Sequence, residues 1–87
     1  MEKIYLVCGH TIGQNGERED EVTIAFKNRD NAGHYLDEIR DECRKDTDIS
    51  ILIEHYSCDV SYSVVFVDKY KYRKSEVWTV KKLELAD

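Results

Sequence analysis

Cys8-Gly9-His10 and His55-Tyr56-Ser57-Cys58 set two thiols and two imidazoles in short pairs, the side-chain types that hold a tetrahedral zinc ion. The pairs converge only if the strands that carry them are neighbours. A strand-end Cys-x-His is not a usual zinc knuckle, and the chain has no Cys-x-x-Cys. The competing reading is a small thiol on each strand beside a surface imidazole, with no metal or cofactor. Cys8 could also act as a nucleophile with His10 or His55 as base. A reactive thiolate, however, needs a cation or a helix start beside it, and the nearby charge is mostly negative. Gly9, Gly13 and Gly16 match no phosphate-cradling spacing, and no Gly-Lys-Ser/Thr follows them. The carboxylates are too many and too scattered to nominate an acid–base couple. No catalytic set emerges, and the expectation is a protein that is not an enzyme.

Charged residues form two more defined groups. Asp37, Glu38, Asp41 and Glu42 fall on one face of a helix, and Glu17, Glu19, Asp20 and Glu21 crowd a hairpin. Such rows can imitate a line of phosphates and engage a basic groove; the plainer reading is a solvated face partly offset by Arg40 and Arg44. Lys69-Tyr70-Lys71-Tyr72-Arg73-Lys74, with Lys81 and Lys82 further on, is the alternative, nucleic-acid-binding surface. A single-strand binder wants aromatics and cations on the same accessible surface. Strict alternation along a strand would separate them, with Lys69, Lys71 and Arg73 on one face and the two tyrosines on the other.

Eighty-seven residues predict one domain over 1–87. A chain this short hides roughly 60–65% of its unfolded surface, so a ligand site should be a groove, a sheet face or an oligomer interface. The net charge is −5 and unevenly spread. Residues 1–60 carry fourteen carboxylates against seven cations, whereas residues 61–87 carry four against six. The acidic majority argues against nonspecific duplex binding, which needs cations to replace counterions. It suits a protein partner with a basic surface, though acidity also serves solubility alone. Only five apolar residues separate Lys3 from Gly9, too few for a signal segment or a membrane span. With three cysteines, an odd number, the expectation is free thiols in a reducing cytoplasm, with no membrane.

These residues are positioned by a predicted ββαβββ order. Ile4–Cys8 reads as the first strand, extending toward Ile12. Asn15-Gly16 marks a turn within residues 13–20, and Glu21–Lys27 alternates as the second strand. Asn28 is a good N-cap, Asp30 suits the first helical turn and Arg44-Lys45 the last, giving a helix over Arg29–Lys45. Its buried stripe is Ala32, Tyr35, Leu36, Ile39 and Cys43, and its outer face His34, Asp37, Glu38, Arg40, Asp41 and Glu42. Gly33 inside it predicts a close contact against the sheet. Ile49–Tyr56, Tyr62–Tyr72 and Val77–Leu85 read as strands, with turns at Ser57-Cys58-Asp59 and Arg73-Lys74-Ser75. Val64–Val67 is apolar on both sides, as in a central strand or one that meets a partner. Trp78 and Val80 are even positions and Leu83 and Leu85 odd, which predicts a bulge near Lys81-Lys82. The fold class is α+β: one helix on a mostly antiparallel sheet of four or five strands. Apolar edges left by the last two strands make a homodimer a further expectation.

The residues Lys3-Ile4-Tyr5-Leu6-Val7, Phe26, Asn28, Ala32, Tyr35 and Leu36 give the span from Lys3 to Ile39 a layout that resembles small phage and bacterial accessory proteins. Those share a short first strand, a polar hairpin, a second strand ending in Phe and a capped helix. The resemblance covers under half the chain and implies a compact accessory protein; it transfers no catalytic residue. Small acidic phage proteins of this size are often inhibitors of host defence, such as anti-CRISPR proteins, acting in the host cytoplasm. The leading expectation is thus a binding module that presents Asp37, Glu38, Asp41, Glu42, Glu17, Glu19 and Asp20 to a basic, nucleic-acid-handling partner. The alternatives are the basic hairpin as a nucleic-acid binder and a metal-stabilised domain through Cys8, His10, His55 and Cys58.

Overall fold

The computed structural model describes the backbone of residues 2–85 and the side chains of residues 3–84. The chain runs β1 (Glu2–Ile12), β2 (Arg18–Phe26), α1 (Arg29–Lys45), β3 (Ile49–Ser57), β4 (Ser61–Asp68) and β5 (Arg73–Leu85). The strands form one sheet in the order β2-β1-β5-β4-β3, with every neighbouring pair antiparallel. The expected α+β class and element order hold, and the sheet has five strands. The helix carries the chain from one edge strand, β2, to the other, β3. Its 17 residues span about 25 Å, enough to cross a sheet whose outer strands lie about 19 Å apart.

Local chemistry sets the helix bounds. Asn28 takes an extended conformation and its side-chain oxygen accepts the amide of Asp30 at 2.7 Å, the expected cap. Beyond the last turn, Asp46 accepts the amide of Asp48 at 2.9 Å and turns the chain into β3. The buried stripe is Ala32, Gly33, Leu36, Ile39 and Cys43. It seats on Tyr62, Val64 and Phe66, with Trp78, Val80 and Tyr56 packed around them. Leu36, Tyr62 and Val7 are fully buried, each contributing roughly 1.5–3 kcal/mol of apolar burial. Gly33 meets the turn after β3 rather than the sheet itself: the carboxylate of Asp59 occupies the space a Cβ would need.

The strand register corrects several expectations. β5 begins at Arg73, so the expected turn at Arg73-Lys74-Ser75 is strand, and β4 ends at Asp68 rather than Tyr72. The turn falls at residues 69–72 because the Asp68 carboxylate accepts the amides of both Tyr70 and Tyr72 at 2.9 Å, and Lys71 adopts a φ of 70°. The bulge expected near Lys81-Lys82 does not occur: β1 and β5 pair without interruption from Glu2↔Leu85 to Ile12↔Ser75. Leu83 instead faces away from Trp78 and Val80; the face of the Leu85 side chain lies outside the described residues. Two bulges do occur, one beside Asp20 (φ 53°) in β2 and one at Leu52 in β3.

Alternation gives the two faces different chemistry. The helix side carries Tyr5, Phe26, Tyr56, Tyr62, Phe66 and Trp78, which are all the strand aromatics among the described residues. The other side carries Ile4, Leu6, Cys8, Ile53, Val65, Val67, Val77 and Leu83, interspersed with serine and threonine, with His10 and His55, and with the cations Arg18, Arg73 and Lys81. No described element covers it.

Candidate functional site

Where the C-terminal half of α1 crosses β4 and β5, the packing leaves a cleft of about 370 Å³. Tyr35, Phe66 and Trp78 give it an aromatic lining, and Glu42, Asp46 and Glu76 add three carboxylates. Tyr35 stands edge-on to Trp78 with ring centres 6.3 Å apart, and tilts against Phe26 at 5.6 Å. The indole lies over β1, because Gly9 is its cross-strand partner and has no Cβ to obstruct the ring. Glu76 accepts the indole N–H at 3.0 Å and the Cys43 thiol at 4.0 Å. The helix also ends here, so its partial negative charge adds to the three carboxylates. One pair further across the sheet, Glu19 lies opposite Thr11, which lies opposite Glu76, extending the acidic end toward the first hairpin.

Burial, followed by the neighbouring Glu76 carboxylate, pushes the Cys43 thiol up to about 11. A thiol held protonated in this way is a packing group and a weak donor, not a nucleophile. The three histidines do not line the cleft: His10 and His55 belong to the uncovered sheet face, and His34 is exposed on the helix. What the cleft offers is aromatic side chains beside three carboxylates. That combination attracts an ammonium or guanidinium group.

On the helix flank beside β3, Glu54 accepts Arg44 through both carboxylate oxygens, at 2.5–3.3 Å, and accepts the hydroxyl of the buried Tyr62 at 2.8 Å. The Arg44 contact holds the Glu54 carboxyl below its usual range. Desolvation, with help from Glu54, raises the Tyr62 phenol. Next to it Arg40 stacks over the Tyr56 ring at 3.9 Å, and the Tyr56 hydroxyl donates to Asp37. That hydrogen bond raises the Tyr56 phenol.

The expected site residues separate accordingly. Glu38, Asp41 and Glu42 are exposed on α1, and Glu17, Glu19 and Asp20 are exposed in and beside the first hairpin. Asp37 and Arg40 do not belong to the outer row: both are half-buried against β3, because helical rotation brings them over Tyr56. Only Glu42 of the expected set reaches the cleft. Asp46, Glu76, Trp78 and Tyr35 were missed as site residues, although an alternating Glu76-x-Trp78 opposite a strand glycine was the available signal.

The basic set does not gather. Lys69 and Lys71 sit in the β4–β5 turn with Arg73 and Lys74 just beyond, whereas Lys81 and Lys82 lie eight residues further along β5 on opposite faces. Lys74 is 3.7 Å from Asp68, and Lys82 lines a second cleft with Arg29 and Asp59. The expected separation of cations from tyrosines fails, since this segment is a turn. Tyr70 and Tyr72 pair at 6.5 Å and Lys69 lies over Tyr70 at 5.3 Å, all on one exposed tip. The proposed metal ligands stay apart: β1, with Cys8 and His10, is separated from β3, with His55, by β5 and β4. Cys8 accepts from Thr23, and His10 accepts from Arg18 at 3.3 Å. No cluster of three or more metal-ligating side chains occurs among the described residues, and no described helix is long and apolar enough to cross a membrane. No family model, curated protein or solved structure matches this chain.

Proposed function

We propose that this chain is a small non-enzymatic protein-binding module that captures a lysine or arginine side chain of a basic partner in the cleft at the end of α1. The observation that carries the reading is that Glu42, Asp46 and Glu76 line the same cleft as Trp78, Tyr35 and Phe66. The exposed Glu38 and Asp41, with Glu17, Glu19 and Asp20 of the first hairpin, extend the same sign of potential around it and would steer a cationic surface toward it. A nucleic-acid-handling protein, whose own groove is lined with cations, is the partner class this surface suits. Inhibition of such a protein by phosphate mimicry, in the manner of an anti-CRISPR protein, is the corresponding biological role. The buried, protonated thiol and the absence of histidine from the cleft lining support binding rather than turnover.

Trp78 is the sole tryptophan, so its emission reports the cleft directly. Titration with arginine- and lysine-rich peptides should change that emission saturably, weaken with salt, and be lost in Glu42→Lys/Asp46→Lys. An emission indifferent to these peptides at low salt removes the reading.

A second reading has its own observation. The exposed tip bearing Tyr70, Tyr72, Lys69 and Lys71 joins π surface to cations, as single-strand binding requires. Lys81 and Lys82 are not part of that surface. Labelled single strands titrated at two salt concentrations test it; no binding at low salt eliminates it.

A further inference from the structure

We propose that the uncovered face of the sheet is the contact of a symmetric homodimer, with two copies stacked sheet against sheet. Its centre is Leu6 and Cys8 of β1, Val77 of β5, Val65 and Val67 of β4, and Ile53 of β3. An antiparallel sheet with one wet face alternates apolar with charged or strongly polar residues. Here both faces are apolar, and α1 covers only one.

The surface area argues the same way. The chain exposes 6083 Å², whereas a compact monomer of 10.2 kDa exposes roughly 5,300 Å² by the usual scaling with mass. The excess of roughly 800 Å² equals what each partner contributes to a standard stable interface, about 800 Å². The radius of gyration, 14.2 Å, exceeds the roughly 12 Å expected at this length. The molecule measures 49 × 24 × 15 Å, a plate whose thin dimension a stacked copy would double.

The excess area selects a second copy, and the composition of the face speaks against a basic or a nucleic-acid partner. From Ile4 to His10 on β1, and across the paired rows of β5, β4 and β3, this face carries no carboxylate. A basic partner would find nothing to pair with. A nucleic acid would find no aromatic to stack on, because the strand aromatics lie on the helix side, and three separated cations, Arg18 opposite Ile12, Arg73 opposite Val67 and Lys81 opposite Leu6. Arg73 stands at the start of β5, and Lys81, opposite Leu6, lies past the last β4–β5 pair at Ser61↔Thr79. Between those cations the face is valine, leucine, isoleucine, serine and threonine with His10 and His55, a surface that a two-fold contact can repeat and that permits sheets to pack about 10 Å apart. Stacking also points both acidic helices outward, so two chains of charge −5 associate without opposing their carboxylates.

Sedimentation equilibrium of the full chain should show about twice 10.2 kDa at micromolar concentration, dissociating on dilution. Leu6→Glu/Val65→Glu should be monomeric with unchanged Trp78 emission. In the wild type, alkylation of Cys8 should slow as concentration rises, while Cys58, exposed in the β3–β4 turn, should keep its rate. This footprint decides the matter even if the double variant fails to fold. A wild-type monomer up to near-millimolar concentration overturns the proposal. So does a dimer that survives the double variant and dissociates with Leu52→Glu, which would place the contact on the β3 edge.

Discussion

Gly9→Ala should damage the fold far more than its size suggests. The added Cβ would overlap the six-membered ring of Trp78 at three carbon atoms. The indole cannot simply slide, since its N–H is held by Glu76 and its face meets the edge of Tyr35. Overpacking of this kind costs about 1–3 kcal/mol, whereas removing a glycine's backbone freedom returns only about 0.5–1 kcal/mol. The clash therefore prevails. In a domain of this size each kcal/mol moves the melting temperature by about 4–8 °C, so the variant should melt several degrees lower, with altered Trp78 emission. Gly33→Ala is the control. Its Cβ would meet Asp59 Oδ1, the end of a side chain in a surface turn that can rotate away, and alanine gains up to ~1 kcal/mol in a helix. It should melt at or slightly above the wild-type temperature. Thermal melts followed by circular dichroism and tryptophan fluorescence compare the two. A Gly9→Ala variant as stable as Gly33→Ala, with native emission, would refute the assignment of Gly9 to the seating of Trp78.

Asn28→Ala removes the oxygen that accepts the Asp30 amide and should cost about 1 kcal/mol, read as a lower urea midpoint with unchanged slope. Arg44→Ala should lower stability at neutral pH and flatten its loss in acid. The Glu54 carboxyl is held below its ordinary value of 4.5 by Arg44 and Tyr62, so its contribution is present above that pH and is lost as pH falls through the depressed value. Acid titrations of wild type and Arg44→Ala, followed by circular dichroism, should therefore diverge at neutral pH and converge in acid. Stability should also decline in alkali. The Cys43 thiol is raised from 9.0 to about 11, so its contribution is complete below pH 9 and disappears as pH climbs through the raised value. Cys43→Ala should flatten part of that decline in urea melts taken across the range, with the raised Tyr62 and Tyr56 phenols adding to it.

The helix was legible because its signals are local. Asn28, Asp30 and Arg44-Lys45 act within one turn of the ends they mark, and the apolar stripe repeats at the helical period. The strands were legible where one face is polar. β5 was misjudged because it carries apolar residues on both faces, and that pattern alone produces the face switch that suggests a bulge. The β4–β5 turn was misplaced because Tyr70 and Tyr72 mimic alternation, while the side chain that makes the turn, Asp68, lies ahead of them. The cleft was hidden for a different reason. Its residues come from positions 35 to 78 and meet only through the strand order, which places β5 between β1 and β4. Gly9 and Trp78 are far apart in sequence, so their fit has no local signature. Glu42 was reached because it belonged to a charge row, not because its neighbours were known.

The sheet divides its labour by residue type. Among the described residues, all strand aromatics and the cleft lie on the helix side, and the opposite side is mainly aliphatic and hydroxyl-bearing, with Arg18, Arg73 and Lys81 its cations. A dimer through the uncovered side would hold two acidic clefts on opposite outer faces of a four-layer particle. A partner with a single cationic site would gain nothing from the second cleft. Two basic sites on one partner would gain only if a flexible tether let them reach around the particle, whereas an array of partner copies could be bridged directly. The two proposals thus meet in one measurement. The monomeric Leu6→Glu/Val65→Glu variant should match the wild type in affinity for a soluble monovalent basic peptide, yet release much faster from a surface densely coated with that peptide. Equal release from the coated surface would mean that the clefts act singly.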